Sequence, residues 1–548
     1  MRLIASLVVL AAVTADPALA REVVDASSPQ ALSVTVYRDP DRGEGDAMNR
    51  DWPQGFAMIS ETRTVTLPPG ESTIRFEGVA EGMVGVSAIV TGLPGGTIEK
   101  NRNAELLSPA ALVNGALGNR VTITRTNPAT GRATSEQAVV RTRADGGLVL
   151  QTGAGFEAVR CAGVPEGLTF DRIPKGLSAS PVFSIDTRDK SGGTYTVTLT
   201  YLAWGFDWQA NYVATLAEPR GDGEFTMRLL SWLTLLNDNG QSFPDAELMV
   251  IAGALNVTSD FEDLADPPVA EPLRLTCYPL GSTAAGSPMP FYGSIPPPPP
   301  PPPAPMAAMG YYENDSIIVT GSRMKRATLE MAVPISVISA EEEQLGDLKL
   351  YRVPMPVTVA AKGLKQVAFL NRDDVTARYL YRIGCDPYER YEAVESPDEL
   401  TEAEVLLVTR NEKKKGLGVA LPQGGLTVFE PTGYGAQLVA EPSLRDYAVG
   451  QDIELSMGES AQVFSQCSYN GRGDPQDEDG RKWRKMRAEI SNANAHPIRV
   501  RVVLGWSGDW EAKWPRRKTE VKDGNVVVEV AVPANTTETY DFQLRPVS

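Results

Sequence analysis

Runs of alternating apolar and polar residues dominate this chain and predict short β-strands. The clearest run extends from Gly193 to Tyr201, where threonine alternates with larger side chains, so one face of a strand would be apolar. The same period of two recurs, fully or nearly, at 64–67, 73–76, 87–90, 121–126, 138–142, 148–152, 225–236, 246–252, 405–409, 425–429, 461–464 and 498–505. Because turn residues separate these runs at intervals typical of antiparallel sandwiches, the pattern predicts an all-β protein.

Turn and cap residues mark the ends of the predicted elements. Pro68-Pro69-Gly70 separates two strands, and Lys522–Asn525 forms the turn before the alternating strand Val526–Val532. A short helix is predicted over 108–117, because its first residue is a serine cap and a proline follows. We therefore expect tandem antiparallel β-sandwich modules, immunoglobulin-like at the C-terminus, although the cross-sheet Cys-Trp-Cys pattern of that fold is absent.

A proline-rich insertion interrupts the β pattern between residues 260 and 314. It contains eight consecutive prolines, Pro296–Pro303, which favour an extended polyproline II segment and cannot enter a sheet interior. The predicted organisation is a signal peptide at 1–20, an N-terminal β domain at 21–180, a central β module at 181–259, a proline-rich linker at 260–330, a further β module at 331–490 and C-terminal sandwich hairpins at 491–548.

The first twenty residues have the three parts of a secretory signal peptide. A positive start at Met1-Arg2 precedes the apolar run Leu3–Val13, and Ala18-Leu19-Ala20 is a small-residue cleavage site. The apolar run is too short to cross a bilayer, so we expect no transmembrane segment in the mature chain. The pattern predicts export and a periplasmic location, with association to the outer membrane as an alternative.

Composition excludes several classes of function. The 548-residue chain has a net charge of -17, which repels phosphate backbones, so nucleic acid is not an expected partner. His496 is the single histidine, so a zinc site built on several imidazoles cannot form. A Ser-His-Asp or Cys-His arrangement would have to use His496, and no Gly-x-Ser-x-Gly turn accompanies it. We predict no catalytic, cofactor-binding or metal-binding residue.

Four cysteines predict disulfides in an oxidising compartment. They are Cys161, Cys277, Cys385 and Cys467, which allow three pairings. We favour Cys161–Cys277 and Cys385–Cys467, because each bridge then lies within one half of the chain. Buried free thiols are the alternative for at least one pair.

Several blocks together resemble a family of bacterial envelope proteins of unknown function, loosely called mucoidy-inhibitor-like. The similar blocks are Ile59–Val79, Thr97–Ser108, Leu199–Leu216, Ser231–Gly253, Tyr351–Leu370 and Gly416–Glu430. The resemblance implies tandem β-sandwich modules in the cell envelope, without an established activity. The proline-rich insertion departs from the plainer members of the family.

The linker contains a segment that resembles the TonB box of outer-membrane transporters. It reads Asp315-Ser316-Ile317-Ile318-Val319-Thr320, and Val333–Glu342 is similar to the start of the transporters' plug domain. Such a box binds by adding an extended strand to the edge of a partner's sheet, which suits β-branched residues on a tether. No transporter barrel follows, so a linker or fusion relic is the alternative to binding a TonB-like protein.

Two further clusters have both a binding and a structural interpretation. Tyr201, Trp204, Trp208 and Tyr212 could form an aromatic platform for a sugar, but core packing is favoured at these strand spacings. The acidic segment Asp474–Gly480 ends like a calcium loop, but Pro475 and Met486 would occupy two liganding positions, so a solvated loop is favoured. The basic residues Arg481–Lys485 follow it and are expected to pair with it.

These observations predict an envelope protein that binds or supports other components without catalysis. Its expected partner is an envelope protein or a glycan. One alternative is a TonB-coupled accessory protein that uses 315–320 for strand addition. A second alternative is a glycan hydrolase, which needs only two carboxylates, but 69 acidic residues leave no pair diagnostic.

Overall fold

A computed structural model shows the protein to be built almost entirely of β-strands. It describes residues 21–103, 106–127, 130–142, 148–158, 166–174, 177–217, 223–253, 255–257, 259–265, 341–345, 347–386, 400–469 and 482–547. The structure is 64% strand and 4% helix, which confirms the all-β prediction. None of the helices in the described ranges is long and apolar enough to span a membrane.

The strands and helices follow one another in the order predicted by the alternating pattern, with longer strands in many places. The first part contains β1 Glu22–Asp25, β2 Ala31–Tyr37, β3 Phe56–Leu67, β4 Gly70–Glu77, β5 Ile89–Thr91, β6 Glu99–Asn103, α1 Pro109–Gly115, β7 Arg120–Thr126, β8 Ala133–Val140, β9 Val149–Thr152, β10 Gly155–Ala158, β11 Glu166–Thr169, β12 Val182–Asp189, β13 Gly193–Trp204, β14 Phe206–Leu216, β15 Glu224–Asn237, β16 Phe243–Ala252 and α2 Phe261–Ala265. A 3-10 turn at Gly85–Ser87 precedes β5.

The second part begins after the proline-rich segment. It contains β17 Glu341–Leu345, β18 Leu348–Arg352, β19 Val357–Val359, β20 Gly363–Gly384, β21 Thr401–Arg410, β22 Gly424–Thr432, β23 Gly435–Ala440, β24 Ser443–Leu444, β25 Asp452–Tyr469, β26 Arg484–Asn492, β27 Ile498–Trp506, β28 Trp510–Lys513, β29 Glu520–Lys522, β30 Asn525–Val532 and β31 Thr536–Pro546. A second 3-10 turn, Lys413–Lys415, lies between β21 and β22.

Three sheets form the first of two compact units, which comprises the described residues of 21–106, 178–265 and 341–547. A four-stranded sheet has the order β1-β4-β12-β6, and an eight-stranded sheet has the order β17-β18-β16-β2-β3-β13-β5 with β19 beside β16. The third sheet has fourteen strands and runs β23-β22-β14-β15-β20-β21-β25-β26-β31-β28, with the remaining strands branching from it. The domain boundaries drawn from the sequence stay a prediction.

Alternation places one face of most long strands of this unit in one of two apolar clusters. Ile74 and Ile185 from the four-stranded sheet and Ile59 and Leu199 from the eight-stranded sheet are fully buried in one cluster. A separate cluster, formed by β26, β27, β30 and β31 among others, includes Val500, Val530 and Leu544. The core therefore depends on the period of two along each strand.

Four strand pairs are parallel, whereas the sequence pattern predicted antiparallel modules. The parallel pairs are β1–β4, β2–β16, β14–β22 and β20–β27. Each pair joins strands far enough apart in sequence to allow a crossover connection, which a parallel pair requires. The other described pairs of strands are antiparallel, so the sheets are mixed.

The second unit contains the described residues of 107–174 and has its own small core. Its five-stranded sheet has the order β10-β9-β8-β7-β11, and α1 contributes Val113 to the apolar cluster with Ile123 and Leu150. The predicted helix cap is confirmed, because the Ser108 hydroxyl accepts a hydrogen bond from the backbone N–H of Ala111 at 3.1 Å.

Candidate functional site

All five partner-binding residues predicted from the sequence lie outside the described residues. These are Asp315, Ile317, Ile318, Val319 and Thr320 of the TonB-box-like segment. The signal peptide, the proline-rich segment and the acidic segment 474–480 also lie outside them. The corresponding interpretations stay predictions.

One predicted disulfide is present. Cys385 follows β20, Cys467 lies in β25, and the two are bonded with their Cα atoms 5.5 Å apart. Cys161 and Cys277, the other favoured pair, lie outside the described residues. The Cys385–Cys467 bridge joins the last residues of β20 to the strand that leads toward β26.

The four aromatic residues considered as a sugar platform are core residues, as the strand spacing favoured. Tyr201, Trp208 and Tyr212 are 1% exposed and Trp204 is 8% exposed. The Tyr201 hydroxyl donates to the buried Glu61 carboxylate at 2.8 Å, and Tyr212 donates to the Pro422 carbonyl at 2.8 Å. Burial raises the pKa of both tyrosines well above its ordinary value. These side chains therefore stabilise the core and present no face to a ligand.

A small cavity beside β2 is lined by two arginines that are already paired. Tyr37, Arg38, Arg42 and Ile251 contribute to its wall, and its volume is about 100 Å³. Arg38 donates to Asp446 at 3.1 Å, and Arg42 is paired with the buried Asp207. Ligand pockets usually measure about 300–1,000 Å³, so this cavity is too small for a drug-sized or sugar ligand.

Acidic residues do not form a metal centre in the parts of the chain that the structure describes. No group of three or more potential metal ligands occurs there. The Glu402 and Glu459 carboxyl groups are hydrogen-bonded, which raises the pKa of Glu402. A retaining glycosidase separates its carboxyl groups by about 5–5.5 Å, so a directly bonded pair on an exposed strand face does not fit that mechanism. His496 is exposed just before β27.

The C-terminal strands reverse the charge of the chain. Residues 482–547 contain 12 Lys and Arg against 8 Asp and Glu, a net charge of +4, whereas the whole chain has a net charge of -17. Such a local reversal concentrates positive potential on one module of an acidic protein. The position of these cations on the sheet therefore decides what the module can attract.

Several of the cations share the outer face of the β26–β31–β28 sheet. The alternation in β26 buries Met486 and Ala488 and leaves Lys485 and Arg487 exposed. Lys485 and Lys513 are both register partners of Gln543, so they lie in one row across the sheet. Two strand spacings separate them by roughly 9–10 Å. We call Trp483, Lys485, Arg487, Lys513 and Arg545 the cationic platform.

Trp483 organises one end of the cationic platform. The Lys513 ammonium nitrogen lies 3.9 Å from the centre of the Trp483 ring, and the Arg545 guanidinium carbon lies 4.7 Å from it. Cations at this distance are attracted by the electron-rich face of an indole. The ring therefore holds two positive groups close together. Its attraction for each of them offsets part of the repulsion between them.

Two of the four platform cations have no carboxylate partner among the described residues. Arg487 bonds to Asp541 at 2.8 Å, and Arg545 is paired with Glu511. The guanidinium of Arg487 lowers the pKa of the Asp541 carboxyl. In the described ranges, no carboxylate lies within 4 Å of the Lys485 or Lys513 ammonium group, although the positive charge of Lys485 also lowers the pKa of Asp541.

A rigid module supports the platform. The inner faces of its strands bury Phe542, Leu544, Trp510 and Trp514 in the C-terminal core. Trp514 packs against Phe542 with ring centroids 5.0 Å apart. Because the platform side chains alternate with these buried residues, the strands fix the spacing of the cations.

A partly buried network of ion pairs joins this module to β25. The guanidinium of Arg501 donates to the Glu454 carboxylate at 2.7 and 3.0 Å and to Glu529 at 3.0 Å. Lys522 bonds to the same Glu454 at 2.6 Å. Arg501 and Lys522 lower the pKa of Glu454 despite its partial burial, so the carboxyl stays ionised at neutral pH.

The sequence indicated only some of the residues of the cationic platform. The run Arg481–Lys485 is a basic cluster in the sequence, but its expected role was pairing with the acidic segment before it. Lys513 and Arg545 are 28 and 60 positions beyond Lys485 in the chain, and strand pairing alone brings them together. The net charge of the predicted C-terminal module, 491–548, does not indicate the site, because its 8 Lys and Arg against 7 Asp and Glu leave only +1.

Comparisons with protein families and with curated proteins give no match. No protein-family model matches the chain, and no curated protein matches it significantly. The resemblance to mucoidy-inhibitor-like envelope proteins therefore stays a prediction.

Proposed function

We propose that this protein is a non-catalytic binding protein of the cell envelope whose cationic platform holds an acidic polysaccharide. The observation that carries the proposal is the gathering of Lys485, Arg487, Lys513 and Arg545 on one sheet face of an otherwise acidic chain. Opposite charge favours an anion there and repels it from the rest of the surface. The periplasmic location predicted from the first twenty residues supplies the setting.

The side chains between the cations favour a glycan over a membrane surface. The outward-facing positions of β31 from 537 to 545 hold Thr537, Thr539, Asp541, Gln543 and Arg545. Hydroxyl and amide groups hydrogen-bond to sugars, whereas a membrane-binding face needs apolar side chains that enter the bilayer. Exposed aliphatic residues are absent from these positions of β31.

The length of the platform favours a polymer over a single sugar. Lys485 and Arg487 lie two residues apart along β26, about 6–7 Å, and Lys513 lies across the sheet. A chain of uronic acids presents one carboxylate per sugar, so successive sugars can meet successive cations. Each contact between a carboxylate and a cation on such an exposed face is weak. The affinity therefore depends on the number of contacts made at once.

Binding of polygalacturonate by the mature protein tests this proposal. We expect binding at low ionic strength, measured by calorimetry, and its loss near 1 M salt, where charges are screened beyond about 3 Å. The double variant Lys485→Glu/Lys513→Glu should weaken binding at least about tenfold, which corresponds to roughly 1.4 kcal/mol. Neutral dextran should not bind.

The control is Lys190→Glu, which makes the charge change of one of these two substitutions at an exposed lysine outside the C-terminal module. It should leave the affinity unchanged. Equal binding of dextran and polygalacturonate would contradict the proposal, as would unaltered affinity in the double variant. Binding to vesicles of anionic lipid without binding to polygalacturonate would favour a membrane partner instead.

A further inference from the structure

One edge strand of the fourteen-stranded sheet lacks the usual protection against pairing with another strand. β22 and β23 form a hairpin with a two-residue turn, in which Thr432 is the register partner of Gly435. Among the described strands, β23 pairs with β22 alone and ends the sheet. Every second residue of β23 therefore directs its backbone N–H and C=O away from β22, where they can bind a further strand.

The turn and β23 carry no charged side chain, and their residues from 433 to 439 are exposed. Residues 433–440 read Gly-Tyr-Gly-Ala-Gln-Leu-Val-Ala, although 22% of the chain is charged. Tyr434 at the turn is 99% exposed, Leu438 is 54% exposed and Val439 is 42% exposed. An extended, apolar and uncharged edge is the kind of surface that adds a strand from another chain.

The other edges of the described sheets differ from β23. The eight strands at the ends of the four sheet paths are β1, β5, β6, β10, β11, β17, β23 and β28. Six of them contain at least one charged residue, as in Glu99–Asn103 of β6 and Glu341–Leu345 of β17. The uncharged β5 has only three residues, whereas β23 has six. A bulge at Val439 disturbs only the last part of β23.

We propose that β23 pairs with β23 of a second copy of this chain, antiparallel and about a twofold axis. An antiparallel strand pair is self-complementary, since one surface serves both partners, and twofold dimers are the commonest oligomers. The ladder would bring no like charges together, although each copy has a net charge of -17. At physiological salt, repulsion between charged groups more than about 8 Å apart is largely screened.

The size of the edge predicts a weak dimer. Six residues of strand and the Tyr434 side chain form an interface well below the roughly 1,200–2,000 Å² of stable complexes. We therefore expect reversible, concentration-dependent association.

Sedimentation velocity of the mature protein over a range of concentrations tests this inference. Wild type should shift from monomer to dimer as concentration rises. Leu438→Lys and, separately, Gln437→Lys place a charge on the edge, and each should weaken the dimer at least tenfold. A synthetic peptide of residues 433–440 should compete and return wild type to monomer.

Val449→Lys is the matched control, because it also places a lysine at an exposed aliphatic position, 56% exposed, outside the strand. It should dimerise like wild type, and unaltered circular dichroism spectra should show that all three variants fold. A wild type that stays monomeric at every concentration overturns the inference. So does a dimer that both Leu438→Lys and Gln437→Lys leave intact, because its interface then lies elsewhere.

Discussion

Aromatic side chains in two regions of this protein are used in opposite ways. Around residues 201–212, Tyr201, Trp208 and Tyr212 are buried, and their polar atoms bond to internal partners. Around residues 483–487, Trp483 lies on the sheet surface under two cations. The neighbouring residues differ, because 202–211 include a single charged residue, Asp207, whereas Arg484, Lys485 and Arg487 follow Trp483. Aromatic content alone therefore does not indicate a binding face.

The largest expected contrast between the two regions is in stability. Trp208→Ala should lower the free energy of unfolding by about 3–5 kcal/mol, because it leaves a cavity in the core and removes the hydrogen bond to the Ile251 carbonyl. Trp483→Ala should change it by less than about 1 kcal/mol, because the ring is at the surface. Urea denaturation of the two variants measures both values. Similar losses of unfolding free energy in the two variants would contradict the assignment of Trp208 to the core and Trp483 to the surface.

A buried and an exposed ion pair should differ in the same way in their contribution to stability. Glu61 and Arg63 are 1% and 2% exposed and bond to each other at 2.6 Å beside Tyr201. Glu61→Gln leaves the Arg63 charge buried without its counterion and should cost roughly 3 kcal/mol or more. Asp541→Asn breaks the exposed pair with Arg487 and should leave the denaturation midpoint unchanged. A stable Glu61→Gln variant would show that water reaches Arg63.

Alkaline titration separates the buried tyrosines from the surface. The folded state raises the pKa of Tyr201 and Tyr212 above the unfolded value near 10, so their neutral form contributes stability below that pH. This contribution is lost as the pH rises further, and both hydroxyls should ionise only as the chain unfolds. The last rise in tyrosinate absorbance should therefore occur at the same pH as the loss of the folded circular dichroism spectrum. Complete ionisation in a folded protein would contradict the burial of these residues.

The smallest expected effect concerns the ring of the platform. Trp483→Ala should weaken polygalacturonate binding only a few-fold, because Lys513 and Arg545 remain but lose the surface that holds them together. Trp483→Phe should recover part of the affinity, since a phenyl ring retains a weaker attraction for cations. Calorimetry measures both variants. Loss of all binding in Trp483→Ala would indicate direct stacking of the sugar on the indole.

The alternation of residues predicted most strands but not their partners. The run at 193–201 correctly indicated β13, and its period of two placed Leu199 and Tyr201 on the buried face. Alternation assigns faces without naming neighbours, so the parallel pairing of β2 with β16 was not foreseen. The same limit concealed the platform, because Lys485 and Lys513 meet only through Gln543 on an intervening strand.

The position of β2 has a consequence for biogenesis. β2 lies between β3 and β16, and the other side of β16 is completed by β18, which begins more than 300 residues after β2 ends. Until β18 has been synthesised, that side of β16 remains an open ladder that can aggregate. A chain truncated after Ala265 should therefore depend on a chaperone, whereas one that continues past Arg352 can close its N-terminal sheet unaided.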